Sequence, residues 1–401
     1  MLKKVKIENY KSVVNQTMNL GMFNVVIGAN GCGKSNLLEA LALAGLSSSG
    51  ALQPVMMESR GIRLTDYRFM RSAFDEVDKE YIRLLVETTG GDSTKYQIHY
   101  NTSLKPAQWE DVVEEGSKTM LSFINEHLSN PNPNPDDIKN DPKIAVLKYY
   151  MDQITKRDDV ENSFNISFRE NPDHTVALSK PLVNGLKNFI IYSLEESSLR
   201  SMDPMPDNIL GRTGKGLLPY LKELSKTEAG RTVLAEVKEN LQVIDWFEDL
   251  DMPESGLTQD STLKLKDRYV DESLEYFDQR SANEAFLYLL FYYILFISDG
   301  TPSFFAIDNI ESSLNPKLCK LVISKLATLA EKHNKQVILT THSPFVLDGL
   351  DEITDKKRLF VVSRNSDGYT IVNQIEENKN KSIPLSEAWL KGYIGGLPNN
   401  F

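Results

Sequence analysis

Apolar and polar positions change period several times along the chain, and each change predicts an element. Val5–Asn9 alternates with the period of a half-buried strand, and Phe23–Ile27 is a short β-branched apolar run ending at Gly28. A glycine-rich turn follows. Ser35–Leu43, rich in Leu and Ala, then reads as a helix stopped by Gly45 and a serine cluster. Tyr81–Glu87 and Lys95–Tyr100 flank a Gly-Gly-Asp-Ser turn, the pattern of an antiparallel hairpin. From 106 to 163 the character turns helical, with helices predicted at Gln108–Leu128 and Pro142–Lys156 on either side of the Asn-Pro run Asn130–Pro135. Neither keeps a heptad long enough for a coiled-coil arm. Strands are predicted again at Phe164–Arg169, Val176–Leu178 and Phe189–Tyr192, then helices at Leu217–Leu224 and Arg231–Leu241.

The last third alternates helix Ala282–Ile297, strand Phe304–Ile307, helix Pro316–His333 and strands Gln336–Leu339 and Leu359–Val362. That order predicts an α/β fold with a parallel sheet. A hairpin of Leu359–Ser363 and Tyr369–Gln374 around Asn365–Gly368, and a helix at Leu385–Leu390, complete the tail. The most apolar stretch, Ala285–Ile297, is shorter than the roughly 20 residues that span a bilayer.

Composition narrows the class. The chain has 401 residues, room for two or three domains of roughly 100–200 residues, and 41% hydrophobic content supports a sizeable core. Lys and Arg number 45 against 56 acidic residues, a net charge of −11, which argues against coating nucleic acid or membrane by bulk charge. Two cysteines, Cys32 and Cys319, make no disulfide framework, and no Cys/His metal cluster is present. The start, MLKKVKIENYKSV, lacks the apolar core of a signal peptide. A soluble cytoplasmic protein is expected.

The chemistry sits at the glycine turn. Gly28-Ala29-Asn30-Gly31-Cys32-Gly33-Lys34-Ser35 fits G-x-x-x-x-G-K-[ST] between an apolar strand and a helix, the context this phosphate-binding loop requires. Backbone N–H groups of Asn30, Gly31, Cys32 and Gly33 and the helix start at Ser35–Asn36 would cradle phosphates, Lys34 would reach the β- and γ-phosphates of ATP, and Ser35 would ligate Mg²⁺. Cys32 is either a small tolerated residue or a redox handle. Asp308, ending the run Pro302–Ile307, is the second magnesium carboxylate or an ordinary turn former; Glu311 follows it, and Thr340-Thr341-His342-Ser343 ends the next strand. About 270 residues separate Lys34 from Asp308, so an insertion must split the ATPase core.

With these motifs in place the chain resembles an ATP-binding-cassette (ABC) head of the RecF, SMC and overcoming-lysogenisation-defect group, in particular the compact AAA-type ATPases found beside bacterial anti-phage and toxin-antitoxin partners. Ile7-Glu8-Asn9-Tyr10-Lys11-Ser12 resembles the N-terminal strand of such heads and brings Lys11 and Ser12 to the nucleotide site. Ser281-Ala282-Asn283-Glu284 stands in the place of the signature motif, Ser312-Ser313-Leu314-Asn315-Pro316 resembles the D-loop, and Thr341-His342-Ser343-Pro344 the histidine switch. The likeness covers about Met1–Gly45 and Asp278–Leu350. It implies a P-loop NTPase of ABC-head type, split into 1–105 and 164–401, with an antiparallel β subdomain and a mostly helical insertion at 106–163. It also implies an ATP-dependent homodimer, or a higher homo-oligomer, in which Ser281 of one copy meets ATP on the other.

One departure bears on catalysis. Such heads carry a glutamate directly after the strand-end aspartate, where this chain has Asn309, and an amide orients water without accepting its proton. Glu311 either takes that role or only supports the D-loop. Slow hydrolysis is the expectation. The resemblance favours the ATPase subunit of a defence or toxin-antitoxin module acting on a separate nuclease or toxin. The alternative is a RecF- or SMC-like DNA clamp, disfavoured by the scatter of Lys3/Lys4/Lys6, Lys264/Lys266/Arg268 and Lys356/Lys357/Arg358. About fifty residues follow Leu350, too few for a further nuclease domain.

Overall fold

The fold comes from a computed structural model, which describes residues 1–74, 80–104, 106–117, 185–206, 210–252, 262–271, 273, 276–376 and 383–397. Strands β1 (Leu2–Tyr10), β2 (Val13–Asn19) and β3 (Phe23–Gly28) lead into helix α1 (Lys34–Ser48). Short helices α2 (Pro54–Ser59) and α3 (Tyr67–Met70) precede β4 (Ile82–Thr88), β5 (Asp92–Asn101) and β6 (Gln108–Ser117). Next come β7 (Ile191–Tyr192), α4 (Glu196–Leu199), α5 (Leu217–Ser225) and α6 (Glu228–Leu241), then β8 (Phe247–Asp251), β9 (Lys264–Asp267) and β10 (Phe277–Asp278). The C-terminal part is α7 (Glu284–Ile297), β11 (Phe304–Ile307), α8 (Pro316–Lys332), β12 (Gln336–Thr341), a 3₁₀ turn at Pro344–Gly349, β13 (Lys357–Arg364), β14 (Thr370–Ile375) and α9 (Leu385–Leu390).

Among the described residues the strands form three sheets. The central one has the order β14-β13-β3-β12-β11-β7, parallel except for β14 at its edge. Every residue of β3, β11 and β12 is buried, as expected of parallel strands covered on both faces, and this is why they read as unbroken apolar runs. Neighbouring side chains along one strand enter different cores. Phe305 and Ile307 join the core built with α5 to α8 and the small sheet β10-β9-β8, whereas Phe304 and Ala306 face α1 and the antiparallel sheet β2-β1-β4-β5-β6. Helix α7 is buried from Phe286 to Ile297, so it is apolar on all sides, and Asn283 caps it by accepting from the Phe286 N–H at 2.8 Å. No helix among the described residues is long and apolar enough to cross a membrane.

The P-loop helix, the 81–100 hairpin, the alternating C-terminal third and the tail hairpin all form where the sequence pattern placed them, and the tail completes the central sheet. Gln108–Leu128 does not. Its described part is strand β6, paired with β5 from Asn101↔Gln108 to Asp92↔Ser117. The acidic residues of this stretch suit a helix, but β5 offers a long backbone edge, and Trp109 and Val113 alternate toward the core beneath. The antiparallel sheet therefore runs past residue 105 to Ser117. The remainder of the expected helical insertion, and the strands expected at Phe164–Arg169 and Val176–Leu178, lie outside the described residues.

Phe291 tests the weight of α7. It is fully buried, edge-on to Tyr192 with centroids 5.3 Å apart. Phe291→Ala should cost about 3–5 kcal/mol, read as a lowered urea midpoint.

Candidate functional site

The carboxyl ends of β3, β11 and β12 lie side by side because the register sets Val25 beside Leu339, and Leu339 beside Ile307. Three loops therefore meet at one sheet edge. The first is the glycine loop. Gly31 (φ 75°) and Gly33 (φ 110°) adopt left-handed conformations that other residues avoid, and a Cβ on Gly33 would stand 2.1 Å from Thr370 Oγ1 and 2.9 Å from Ser12 Oγ. Helix α1 starts directly after it, with no side-chain cap and no acidic residue in its first turn, which leaves its positive end open to an anion. The Lys34 ammonium donates to the carbonyls of Gly28 (2.7 Å) and Ala29 (3.0 Å) and is nearly buried.

The second loop follows β11. Asp308 accepts from Ser35 Oγ at 3.1 Å through Oδ2 and from the Thr340 hydroxyl through Oδ1. Two hard oxygens, Ser35 Oγ and Asp308 Oδ2, thus face each other at a separation that a shared divalent cation can bridge. Asn309 is left-handed (φ 57°), a conformation Asn tolerates, and its N–H donates to Thr340 Oγ1 at 3.0 Å. Glu311 Oε1 accepts from the third loop, from the His342 backbone N–H at 3.0 Å, and the ring Nδ1 of His342 stands 2.9 Å from the same oxygen. Glu311 Oε2 is buried and has no protein partner. His342 is half exposed.

Two supports of the loop, Thr370 and Arg364, were not among the residues expected from sequence, whereas Ser12 and Asn36 were. Asn36 Nδ2 donates to Ser12 Oγ (2.7 Å), Ser12 pairs with Thr370 Oγ1 (2.7 Å), and Thr370 donates to the Cys32 carbonyl (2.9 Å). The one proton of Thr370 goes to Cys32, so Ser12 is the donor between the two hydroxyls. Arg364 Nε donates to the Gly31 carbonyl at 2.9 Å. The tail hairpin thus holds the loop from behind. Lys11 is turned elsewhere: its ammonium pairs at 2.5 Å with Glu39, which also accepts from Tyr10 (3.0 Å) and from Arg63 (2.5 Å). Burial, and the adjoining Glu39 charge, push the Tyr10 hydroxyl well above its ordinary range; burial pulls Lys11 down against the pull of Glu39. Arg63 also donates to Asn36 Oδ1 at 3.0 Å, so a second cation stands at the start of α1. The available signal was Glu39, a lone carboxylate in the otherwise apolar face of Leu37–Leu43.

Ser281 is not brought to this edge by its bonds. It is exposed in the turn before α7, where its N–H donates to the Asp278 carbonyl at 3.1 Å. Cys32 is buried, and burial pushes its thiol above the ordinary range despite nearby Lys34. The sulfur is therefore a packing atom, 2.8 Å from where a Cβ on Gly28 would lie. Among the described residues no group of His, Cys, Asp and Glu forms a metal cluster.

These positions separate two substitutions that look alike in sequence. Gly33→Ala should weaken nucleotide binding about 10- to 100-fold, from strain of about 1–3 kcal/mol, while Cys32→Ala stays within about twofold of the parent. Titration with a fluorescent ATP analogue measures both.

Residues 1–347 match the AAA ATPase domain family AAA_15. No match is found among curated proteins. Of solved structures, an SMC head bound to the C-terminal winged-helix domain of ScpA is similar at 14% identity and a TM-score of 0.53, over 94% of this chain and 98% of that one. An SMC head domain from Thermotoga maritima (12% identity, TM-score 0.44, 94% and 99% covered) and one from Pyrococcus furiosus with an extended coiled coil, bound to the C-terminal domain of ScpA (12%, 0.46, 98% and 98%), are also similar. The SMC head with the higher score shares the P-loop NTPase fold described above. With its glycine loop, strand-end aspartate and matched length, the chain belongs to the AAA ATPase domain family and is an ATPase.

Proposed function

We propose that this ATPase is a slowly hydrolysing, ATP-gated switch that dimerises around ATP and controls a separate effector protein, a nuclease or toxin, in a defence or toxin-antitoxin module. The observation that carries the slow cycle is the state of Glu311. Its Oε1 accepts from the His342 N–H and lies against the His342 ring, its Oε2 is buried without a protein partner, and the position after Asp308 is an amide. Mg²⁺ held by Ser35 Oγ and Asp308 Oδ2 would neutralise charge on the phosphate oxygens. Lys34 exchanges the Gly28 and Ala29 carbonyls for a phosphate, and the uncapped start of α1 receives the rest of the anion. Glu311 takes the proton from the attacking water, with His342 fixing its orientation. Ser281 of a second copy, exposed beside the amino end of α7, closes over the γ-phosphate.

A protein partner is favoured over DNA because five of the nine residues in the three basic runs pair with carboxylates. Lys4 pairs with Glu87 (3.1 Å), Lys6 with Glu8 (2.6 Å), Lys266 with Glu248 (2.8 Å) and Arg358 with Asp355 (2.9 Å), and Lys356 pairs with Glu331. A phosphate clamp needs such groups free and clustered.

Glu311→Gln should lower turnover about 100-fold or more while ATP affinity stays near the parent value. Full turnover in that variant would leave Glu311 only the D-loop to support. Turnover per subunit should fall on dilution as the ATP-bound dimer dissociates. Turnover that is constant in a sample that stays monomeric with ATP would defeat the dimer. Tight, salt-sensitive DNA binding that requires ATP would replace the effector reading with the clamp.

A further inference from the structure

The turn that carries Ser281 is held by one side chain from a distant part of the chain. Arg200 lies immediately after α4, and its guanidinium donates to the carbonyls of Gln279, Arg280 (3.2 Å) and Ala282 (2.8 Å). Three of the four carbonyls around Ser281 thus converge on one planar cation. Glu196 Oε1, one turn back, accepts from Arg200 Nε (3.1 Å) and Nη2 (2.6 Å), which fixes the plane of the fork. On the other side of the turn Gln279 is buried, and its Oε1 accepts from the Leu263 N–H at 3.0 Å. Asp278 binds the Arg280 N–H through Oδ1 (2.9 Å), and Asn283 caps α7. Ser281 itself stays exposed.

The other end of this clamp reaches the nucleotide edge of the same subunit. Helix α4 follows β7 after three residues, and β7 is the neighbour of β11. Tyr192 is in register with Ile307, and its carbonyl accepts from the Asp308 N–H at 2.8 Å. Between β7 and α4, Ser193 and Glu195 donate their N–H groups to Arg212 (2.9 Å) and Thr213 (3.0 Å), and the Leu194 carbonyl accepts from Tyr288 of α7 at 3.1 Å. The backbone of β7 and α4, anchored by these hydrogen bonds, therefore runs from beside Asp308 to Arg200 and the Ser281 turn. Charge-assisted bonds are shorter and stronger than neutral ones, and three of them from one guanidinium decide the geometry of an exposed turn.

We propose that Arg200 is a positioning residue for catalysis in trans: it sets the Ser281 turn that completes the nucleotide site of the partner copy, and leaves the site of its own chain intact. The proposal rests on the ATP-bound dimer of the preceding section. It predicts that Arg200→Ala binds ATP within about twofold of the parent yet loses about 100-fold in turnover, the size of removing one positioned donor at an anionic transition state. Arg200→Lys keeps the charge without the fork and should remain defective.

The deciding experiment mixes full-length variants. Lys34→Ala has a disabled glycine loop and an intact Ser281 turn; Arg200→Ala has the reverse. Excess Lys34→Ala should restore turnover per Arg200→Ala chain to within about threefold of the parent, and Ser281→Arg mixed with Lys34→Ala serves as the control pair. Restoration in both mixtures supports the proposal. Restoration with Ser281→Arg alone, or full turnover of unmixed Arg200→Ala, overturns the role of Arg200 while the dimer stands. Restoration in neither overturns the trans site and the proposal with it. If Arg200→Ala and Arg200→Gln both lose ATP binding, Arg200 is a support of its own subunit's fold, and the proposal fails.

Discussion

Strand β3 finds no partner strand near it in sequence, and the molecule is organised around that constraint. Its neighbours are β12 and β13, more than 300 residues away, and all three must align in parallel before both of its edges are paired. The glycine loop projects from the end of this strand. Its phosphate-binding shape therefore exists only after the two ends of the chain have come together. Thr370 and Arg364, from the tail hairpin, bind the Cys32 and Gly31 carbonyls directly, so the same closure that completes the sheet also fixes the loop. Long-range parallel pairing of this kind is entropically demanding, and it ties a folded site to a folded whole.

The antiparallel sheet is joined to that core by a buried carboxylate. Glu39 is 1% exposed and meets Tyr10, Lys11 and Arg63 at once, with three donors on two oxygens. Such a cluster costs several kcal/mol to desolvate, and removing one partner would leave a buried charge behind. It works here because the donors arrive from two segments, the end of β1 and the stretch after α2, and so fix where both lie against α1. Lys11 was expected among the nucleotide-binding residues. In the structure it serves this joint, and its burial lowers its affinity for a proton while the Glu39 charge acts against that shift.

What could be read from the sequence follows from the range of the forces involved. The glycine loop, the strand-end Asp308 and the alternation of the C-terminal third each carry their signal within a few residues, and the structure realises all of them. Strand β6 was misread because its partner edge, not its own acidic composition, decides its conformation. Arg200 and Arg63 gave no local signal at all. Each acts through carbonyls or carboxylates supplied by other segments, and nothing in the residues around them marks the target.

The same reasoning explains how Glu311 comes to lie against His342. Thr340 donates to Asp308 and accepts from the Asn309 N–H, which ties the end of β11 to β12. Ile310 adds a backbone bond to the Thr340 carbonyl at 3.1 Å. With Asn309 left-handed the chain reverses at once, and Ser312 folds back onto the Asn309 carbonyl through both its N–H (3.0 Å) and its hydroxyl (2.8 Å). This compact turn carries Glu311 across to His342, which lies directly after the end of the adjoining strand β12. The distance along the chain is absorbed by the turn, and the position of the carboxylate is set by the register of β11 against β12. A shift of one residue in that register would send every side chain of β11 to the opposite face and separate Asp308 from Ser35, so the Ser35–Asp308 pair and the Glu311–His342 pair depend on a single alignment of two strands.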